Sequence, residues 1–394
     1  MSGLRRPSPA AARGASPDPG AGDNADLRAA VALARISGLG ARHWTRLMDA
    51  FGSPQAVLKV SLPALRALGL PSAVETALAA PEWDAADEHL AWLHGDENRR
   101  LVVRAPGFGG YPERLAEAGD PPPLLTTEGV ASEALHAPQV AVVGCRNPSA
   151  GGREFARDLA RGLVRHGYVV TSGLAHGIDA AAHRGALEGG GRTVAVLATG
   201  LERIYPPANQ ELAREIAASG LLVSEQPPHT APQAGLFPRR NRIVSGLSVG
   251  VVVVEASRRS GALITARMAA EQGREVFAVP GSVHEPRARG CHALIRQGAK
   301  LAEGLDDLLE ELPPPGPASG EAGPGSADPA EALLLAHLDH HPATLDALAE
   351  RSGLTADSLS SILLATELKG LVTALPGGRY VRRGPGTQGS EDPR

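Results

Sequence analysis

The stretch Gln139-Val-Ala-Val-Val-Gly-Cys-Arg-Asn-Pro-Ser149 decides the fold class. Its apolar run is too short for a buried helix and is rich in valine, which fits a strand covered on both faces. Gly144 ends the run, and Ser149 stands where a helix cap is wanted. The segment that follows, Arg153 to His166, places Phe155, Leu159 and Leu163 at i, i+4 and i+8, the stripe of a helix lying on a sheet. A second short run, Tyr168-Val-Val-Thr-Ser172, completes a strand, helix, strand unit.

The same alternation extends from about residue 100 to residue 311. Further runs are Thr193-Val-Ala-Val-Leu197, Leu221-Leu-Val-Ser224, Val249-Gly-Val-Val-Val-Val254 and Val276-Phe-Ala-Val279. Six strands with helical crossovers predict an α/β protein with a doubly wound, mostly parallel sheet.

On a prior of roughly 150 residues per domain, 394 residues hold two or three domains. A content of 43% hydrophobic and 21% charged residues describes a globular chain, not a disordered or membrane-embedded one. The formal charge of −4 excludes a protein that coats nucleic acid by overall charge, because counterion release needs a basic face. Any polyanion site must therefore be local, and it must use arginine, since Lys59, Lys300 and Lys369 are the only lysines. Cys145 and Cys291 are too few for a disulfide framework or a zinc cluster and fit a reducing cytoplasm. No run approaches the roughly 18 to 20 apolar residues that span a bilayer. Arg5-Arg6 is followed by Pro, Ala, Gly and Ser instead of an apolar signal segment, so a cytoplasmic location with no membrane partner is expected.

Composition marks the domains. Residues 1–24 are too poor in apolar side chains to offset ordering entropy and read as a disordered tail. Residues 25–95 read as a helical domain, interrupted at Gly38-Leu-Gly40, Gly52-Ser-Pro54 and Gly69-Leu-Pro71. The sheet core occupies 96–311, and a Pro/Gly linker follows at 312–329. Residues 330–383 carry three helices, Glu331 to His340, Thr344 to Ser352 and Thr355 to Lys369, then a hairpin around Pro376-Gly-Gly378. That order predicts a winged helix, with 384–394 as a tail.

Ligands of open α/β sheets bind beyond the carboxyl ends of the strands. Four such ends are chemically loaded: Gly144-Cys-Arg146-Asn-Pro-Ser149, Ser172-Gly-Leu-Ala-His-Gly177-Ile-Asp179, Glu255-Ala-Ser-Arg-Arg-Ser260-Gly261 and Pro280-Gly281. Backbone N–H groups before the helix at Ser149 would suit an anion, with Arg146 beside them. A glycine turn alone often serves only close packing, and none of these matches the dinucleotide fingerprint or the P-loop. No cofactor is expected.

The sharpest feature is Leu236-Phe237-Pro-Arg239-Arg240-Asn241-Arg242. Three arginines beside one aromatic fit a single strand of nucleic acid, guanidinium to phosphate and ring to base. A solvated helix face with Phe237 in the core is the bland alternative. His176, Asp179 and His183 invite a metal reading, discounted because a third and fourth ligand are wanting. Glu202, Glu225 and Glu255 sit near strand ends but read first as partners for nearby arginines. In Ile36-Ser-Gly38-Leu-Gly40-Ala-Arg42, a helix-hairpin-helix turn that meets phosphates competes with a plain packing hairpin.

Taken in order, the motifs resemble the DNA processing protein A (DprA/Smf) family. The likeness rests on Tyr111-Pro-Glu-Arg-Leu, Val142-Val-Gly-Cys-Arg146, Thr171-Ser-Gly-Leu-Ala-His-Gly-Ile-Asp-Ala-Ala-Ala-His183, Gly200-Leu-Glu-Arg-Ile-Tyr-Pro206, Phe237-Pro-Arg-Arg-Asn-Arg242, Ser260-Gly-Ala-Leu-Ile-Thr265 and Ala278-Val-Pro-Gly281. The resemblance implies an extended Rossmann-like core, an amino-terminal helical domain of sterile-alpha-motif type and a winged helix. It also implies a homodimer through the core that binds single-stranded DNA and helps load RecA in natural transformation. By position, Arg146, Ser172, Gly173, Phe237, Arg239, Arg240, Asn241 and Arg242 would line the DNA pocket. Ala234 stands where some members carry lysine, and Cys145 where Thr or Ser is usual.

Two rivals remain. The core is also similar to that of nucleoside-monophosphate hydrolases, but Met268 stands where their catalytic carboxylate would fall, so no catalytic residue is expected. A duplex-DNA regulator acting through residues 330–383 is weakened by the scarcity of basic residues in its helices.

Overall fold

Valine-rich strands need cover on both faces, and the chain supplies a helical layer for each. The structure, a computed structural model, describes residues 24–315, 338, 343–352, 359, 363, 372–375 and 379–382. The chain divides at Pro317/Ala318 into two compact units.

In the first unit the sheet strands are β1 (Arg99–Val103), β2 (Leu124–Glu128), β3 (Gln139–Gly144), β4 (Val169–Ser172), β5 (Thr193–Leu197), β6 (Leu221–Ser224), β7 (Ser248–Val254), β8 (Glu275–Ala278) and β9 (Lys300–Leu301). They lie in the order β1-β2-β6-β5-β4-β3-β7-β8-β9. Every pairing from β6 to β9 is parallel, while β1 and β2 add an antiparallel edge. All six runs expected as strands are present. The pleat sends alternate residues to opposite faces. Ala141, Val143, Val251 and Val253 enter one apolar layer, and Val140, Val142, Val252 and Val254 the other.

The crossover helices complete each layer. Helices α8 (Ala150–Arg165) and α9 (Ile178–Glu188) cover the second face, with Leu159 and Leu163 of the expected stripe buried and Phe155 packed at the margin. Helices α11 (Leu236–Leu247) and α12 (Ala262–Glu271) cover the first through Ile243, Val244, Leu247, Ala266 and Ala269. Six helices, α1 to α6, fill Asn24–His94. Their core, centred on fully buried Trp44 and Leu47, takes in Val103 of β1 and Leu124 of β2, so the helical segment and the antiparallel edge share one interior.

The second unit shows a three-stranded antiparallel sheet, β10 (Ala343–Thr344), β12 (Arg379–Arg382) and β11 (Val372–Leu375), with a helix at Leu345–Ser352. Leu338, Ala343, Leu348, Leu359, Leu363 and Val372 form its core. The expected tails, most of the linker and all but isolated residues of the helices at 331–340 and 355–369 lie outside the described residues.

Strand order places the site. From β3 the chain winds outward through β4, β5 and β6, then returns to lay β7 against the other side of β3. The reversal opens a crevice beyond the carboxyl ends of β3 and β7. Gly144 makes this closure possible, because a Cβ there would lie 1.9 Å from the Val254 carbonyl oxygen. A backbone clash cannot be relieved by a rotamer change. Gly144→Ala is therefore expected to cost more than about 3 kcal/mol, read as a large drop in the denaturant midpoint; unchanged stability would contradict this packing.

Candidate nucleic-acid interface

Each wall of the crevice comes from a different strand end. The β3 end contributes Arg146 and Asn147, the β4 turn Gly173 and Asp179, and the first turns of α11 contribute Phe237, Arg240 and Asn241; together with the Ser257–Thr265 segment they enclose a cleft of about 700 Å³. Gly177 is required beneath it: φ is +81°, and a Cβ would meet the Cys145 carbonyl oxygen at 2.3 Å.

Arg240 is the buried element of this wall, 7% exposed. Its Nη1 donates to the Gly173 carbonyl oxygen at 2.6 Å and to that of Val196, joining the ends of β4 and β5. Burial pushes its pKa down to about 10, opposed by the charge of Asp179 and assisted by that of Arg146. Asp179 is buried in turn, and its carboxylate accepts from the backbone N–H of Gly173 at 3.1 Å and Ala175 at 3.3 Å. Burial raises its pKa, against the pull of Arg240 and those two hydrogen bonds. The arrangement fixes a positive charge in the floor of an open cleft.

Above that floor stands an aromatic. Phe237 is half-buried, and the exposed Arg146 places its guanidinium carbon 5.7 Å from the ring centroid. A cation over an aromatic face is favoured electrostatically and holds the long arginine arm at the cleft. Asn241, also half-buried, lines the same cleft and accepts from Arg240 Nε at 3.3 Å.

The other expected residues lie elsewhere. Ser172 is fully buried, its hydroxyl donating to the Val142 carbonyl oxygen at 2.7 Å, so it braces β4 from behind. Arg242 faces away from the cleft and pairs with Glu225 at 2.6 Å and Asp120 at 3.0 Å. Arg239 donates to the same Glu225 oxygen at 3.1 Å and borders a separate cleft of about 580 Å³ with Arg35 and the Gly38-Leu39-Gly40 turn. Sequence alone groups the three arginines; the structure leaves only Arg240 in the main cleft.

The helix start at Ser149 is also filled. Ser149 caps α8 by accepting from Gly152 N–H at 2.9 Å, and Glu255 accepts from the Ser149 N–H at 2.8 Å and from its hydroxyl. The chain's own carboxylate thus occupies the place where a phosphate would bind a helix N-terminus. Glu255 reaches it from a left-handed backbone, φ +52°, a strained conformation of the kind found at functional sites.

His183 is fully buried, its Nδ1 lies 2.7 Å from Thr193 Oγ1, and burial lowers its pKa to about 3. Among the described residues no group of three or more His, Cys, Asp or Glu side chains converges on one point. Of the remaining carboxylates, Glu202 pairs with His229 at 2.8 Å and Glu225 with arginines. One residue that sequence reading passed over as a site residue is Tyr205, whose ring lies 5.5 Å from that of Phe237.

Fold and site define a Rossmann-type protein whose crevice presents fixed arginine and an aromatic, with its helix-bound anion site already closed. The family model for DNA recombination-mediator protein A matches residues 105–313, and that for the DprA winged helix domain matches residues 313–378. Protein Smf of Escherichia coli (strain K12) is 43% identical over 305 residues, covering 75% of this chain and 80% of that protein. DNA processing protein DprA of Bacillus subtilis (strain 168) is 47% identical over 203 residues, covering 52% and 68% respectively. The X-ray structure of DNA processing protein A from Streptococcus pneumoniae matches with a TM-score of 0.63 at 36% identity, covering 73% of this chain and 98% of that one. The chain belongs to the DprA/Smf family of DNA recombination mediators, and its carboxyl-terminal unit is the family's winged helix.

Arg242 provides a test of the geometry. Arg242→Ala leaves Glu225, itself only 10% exposed, without its closest cation. It is expected to destabilise the fold by about 3 kcal/mol, seen in denaturant unfolding, while oligonucleotide affinity per folded molecule and its salt dependence stay the same. A specific loss of salt dependence would instead put Arg242 on the DNA.

Proposed function

We propose that this protein binds a single strand of DNA in the cleft at the carboxyl ends of β3 and β7 and acts in recombination as a carrier of that strand, not as an enzyme. The observation that carries this reading is the stack of Arg146 over Phe237 above the buried Arg240. A single strand offers what the cleft lacks: phosphates for guanidinium groups and an unpaired base for the ring. Arg146, Gly173, Phe237 and Asn241 contact the strand, Arg240 supplies fixed charge from beneath, and Ser172 and Arg242 hold the elements that carry them. Arg239 extends the basic rim on the far side of α11.

The hydrolase alternative loses ground at two points. Met268 stands in place of a catalytic carboxylate, and Glu255 closes the anion cradle that a mononucleotide phosphate would need. RecA as recipient of the strand, a homodimer through the core and a cytoplasmic site of action complete the reading, carried by the family resemblance. Among the described residues no helix is long and apolar enough to cross a membrane.

One oligonucleotide, titrated as single strand and as duplex across a salt series, tests the proposal. The single strand should bind more tightly. Phe237→Ala should weaken it by about 1–3 kcal/mol without altering the salt slope. Arg146→Ala should lower the slope by about 0.7 per lost phosphate contact. Equal affinity for the duplex, or indifference to both substitutions, would overturn the assignment.

A further inference from the structure

The cleft ends at Phe237, but the aromatic surface does not. Tyr205 lies on the loop after β5, outside the residues that line the cleft, and its ring neighbours that of Phe237 with centroids 5.5 Å apart and planes inclined at 59°. The two rings are too close for a base to enter between them, so Tyr205 can offer only its outer face, and Phe237 only the face over which the exposed Arg146 arm lies, which a base would take as that arm turns to a phosphate. Tyr205 is 42% exposed, one of few large hydrophobic side chains so presented among the described residues. A structural tyrosine in a chain with only 3% aromatics would be expected to bury its ring or to anchor its hydroxyl. Arg203, two residues earlier, is exposed as well.

We infer that Tyr205 forms a second base-stacking subsite, so that the strand leaves the cleft over Phe237 and places the next base on Tyr205, with Arg203 near its phosphate. The inference rests on the single-strand reading above and adds to it a path and a preference. Bases stacked on two rings inclined at 59° cannot remain stacked on each other. The strand must bend at this step and break one intrastrand stack. Purine tracts, which stack strongly, resist that bend more than pyrimidine tracts do, and preferences of this origin are the kind seen in single-strand binding. The protein should therefore favour oligo(dT) over oligo(dA) of equal length, and Tyr205 should be the cause.

The experiment uses the full chain with oligo(dT) and oligo(dA), comparing wild type, Tyr205→Ala, Tyr205→Phe and Phe237→Ala. Tyr205→Ala should lose roughly five- to tenfold in affinity for oligo(dT) at unchanged salt slope, and much less for oligo(dA), so that the preference shrinks. Tyr205→Phe keeps the ring and should bind as wild type does, which separates stacking from loss of fold. Replacing bases by abasic sites should abolish the difference between wild type and Tyr205→Ala. Wild-type oligo(dT) binding that depends on Phe237 but not on Tyr205, or a Tyr205→Ala loss equal for both homopolymers, would refute the second subsite. Absence of single-strand binding by the wild type would instead refute the underlying function.

Discussion

The buried guanidinium of Arg240 is the contact on which the site depends. It crosses from α11 to the carbonyl oxygens of Gly173 and Val196, so three elements distant in sequence are fixed by one side chain. A buried cation is costly unless its donors are satisfied, and here two carbonyls and the nearby charge of Asp179 meet that demand. Gly173 is glycine for the same reason: a Cβ would lie 2.4 Å from Arg240 Nη2. The floor of the cleft is thus fixed by the fold itself, and in the proposed complex the ordering cost of binding would fall on the exposed arm of Arg146 and on the strand.

A mildly acidic protein can therefore still present a local positive site. Net charge governs diffuse attraction, whereas a low-dielectric crevice lets a few fixed charges act over a short range. Arginine suits the task because its guanidinium stays charged when buried and stacks on an aromatic when exposed. Arg240 and Arg146 show the two uses within one cleft.

Much of the fold was legible because buried parallel strands have to be apolar on both faces. The runs at 139–144 and 249–254 carry that requirement openly. The edge strands hid for equally physical reasons: β1 begins with Arg99-Arg100 on a partly solvated edge, β2 follows three prolines, and β9 is only two residues long. The site was legible as a cluster but not as a geometry. On a helix, residues two apart point about 200° away from each other, so Arg240 and Arg242 were bound to face opposite sides of α11. Which one met the cleft depended on where Asp120 and Glu225 lay, and that is set by tertiary packing. Tyr205 and Phe237, separated by a strand and a helix, became neighbours only through the order of the sheet.

The carboxylate of Glu255, seated at the start of α8, bears on the setting in which such a protein works. Free nucleotides and inorganic phosphate are abundant small anions, and an open helix terminus beside the cleft would be occupied by them. With that position taken internally, the proposed ligand would be held by several separated contacts at once, which a chain of nucleotides makes more readily than a single phosphate ester. On the proposed reading, selectivity for length over charge would be built into the fold itself.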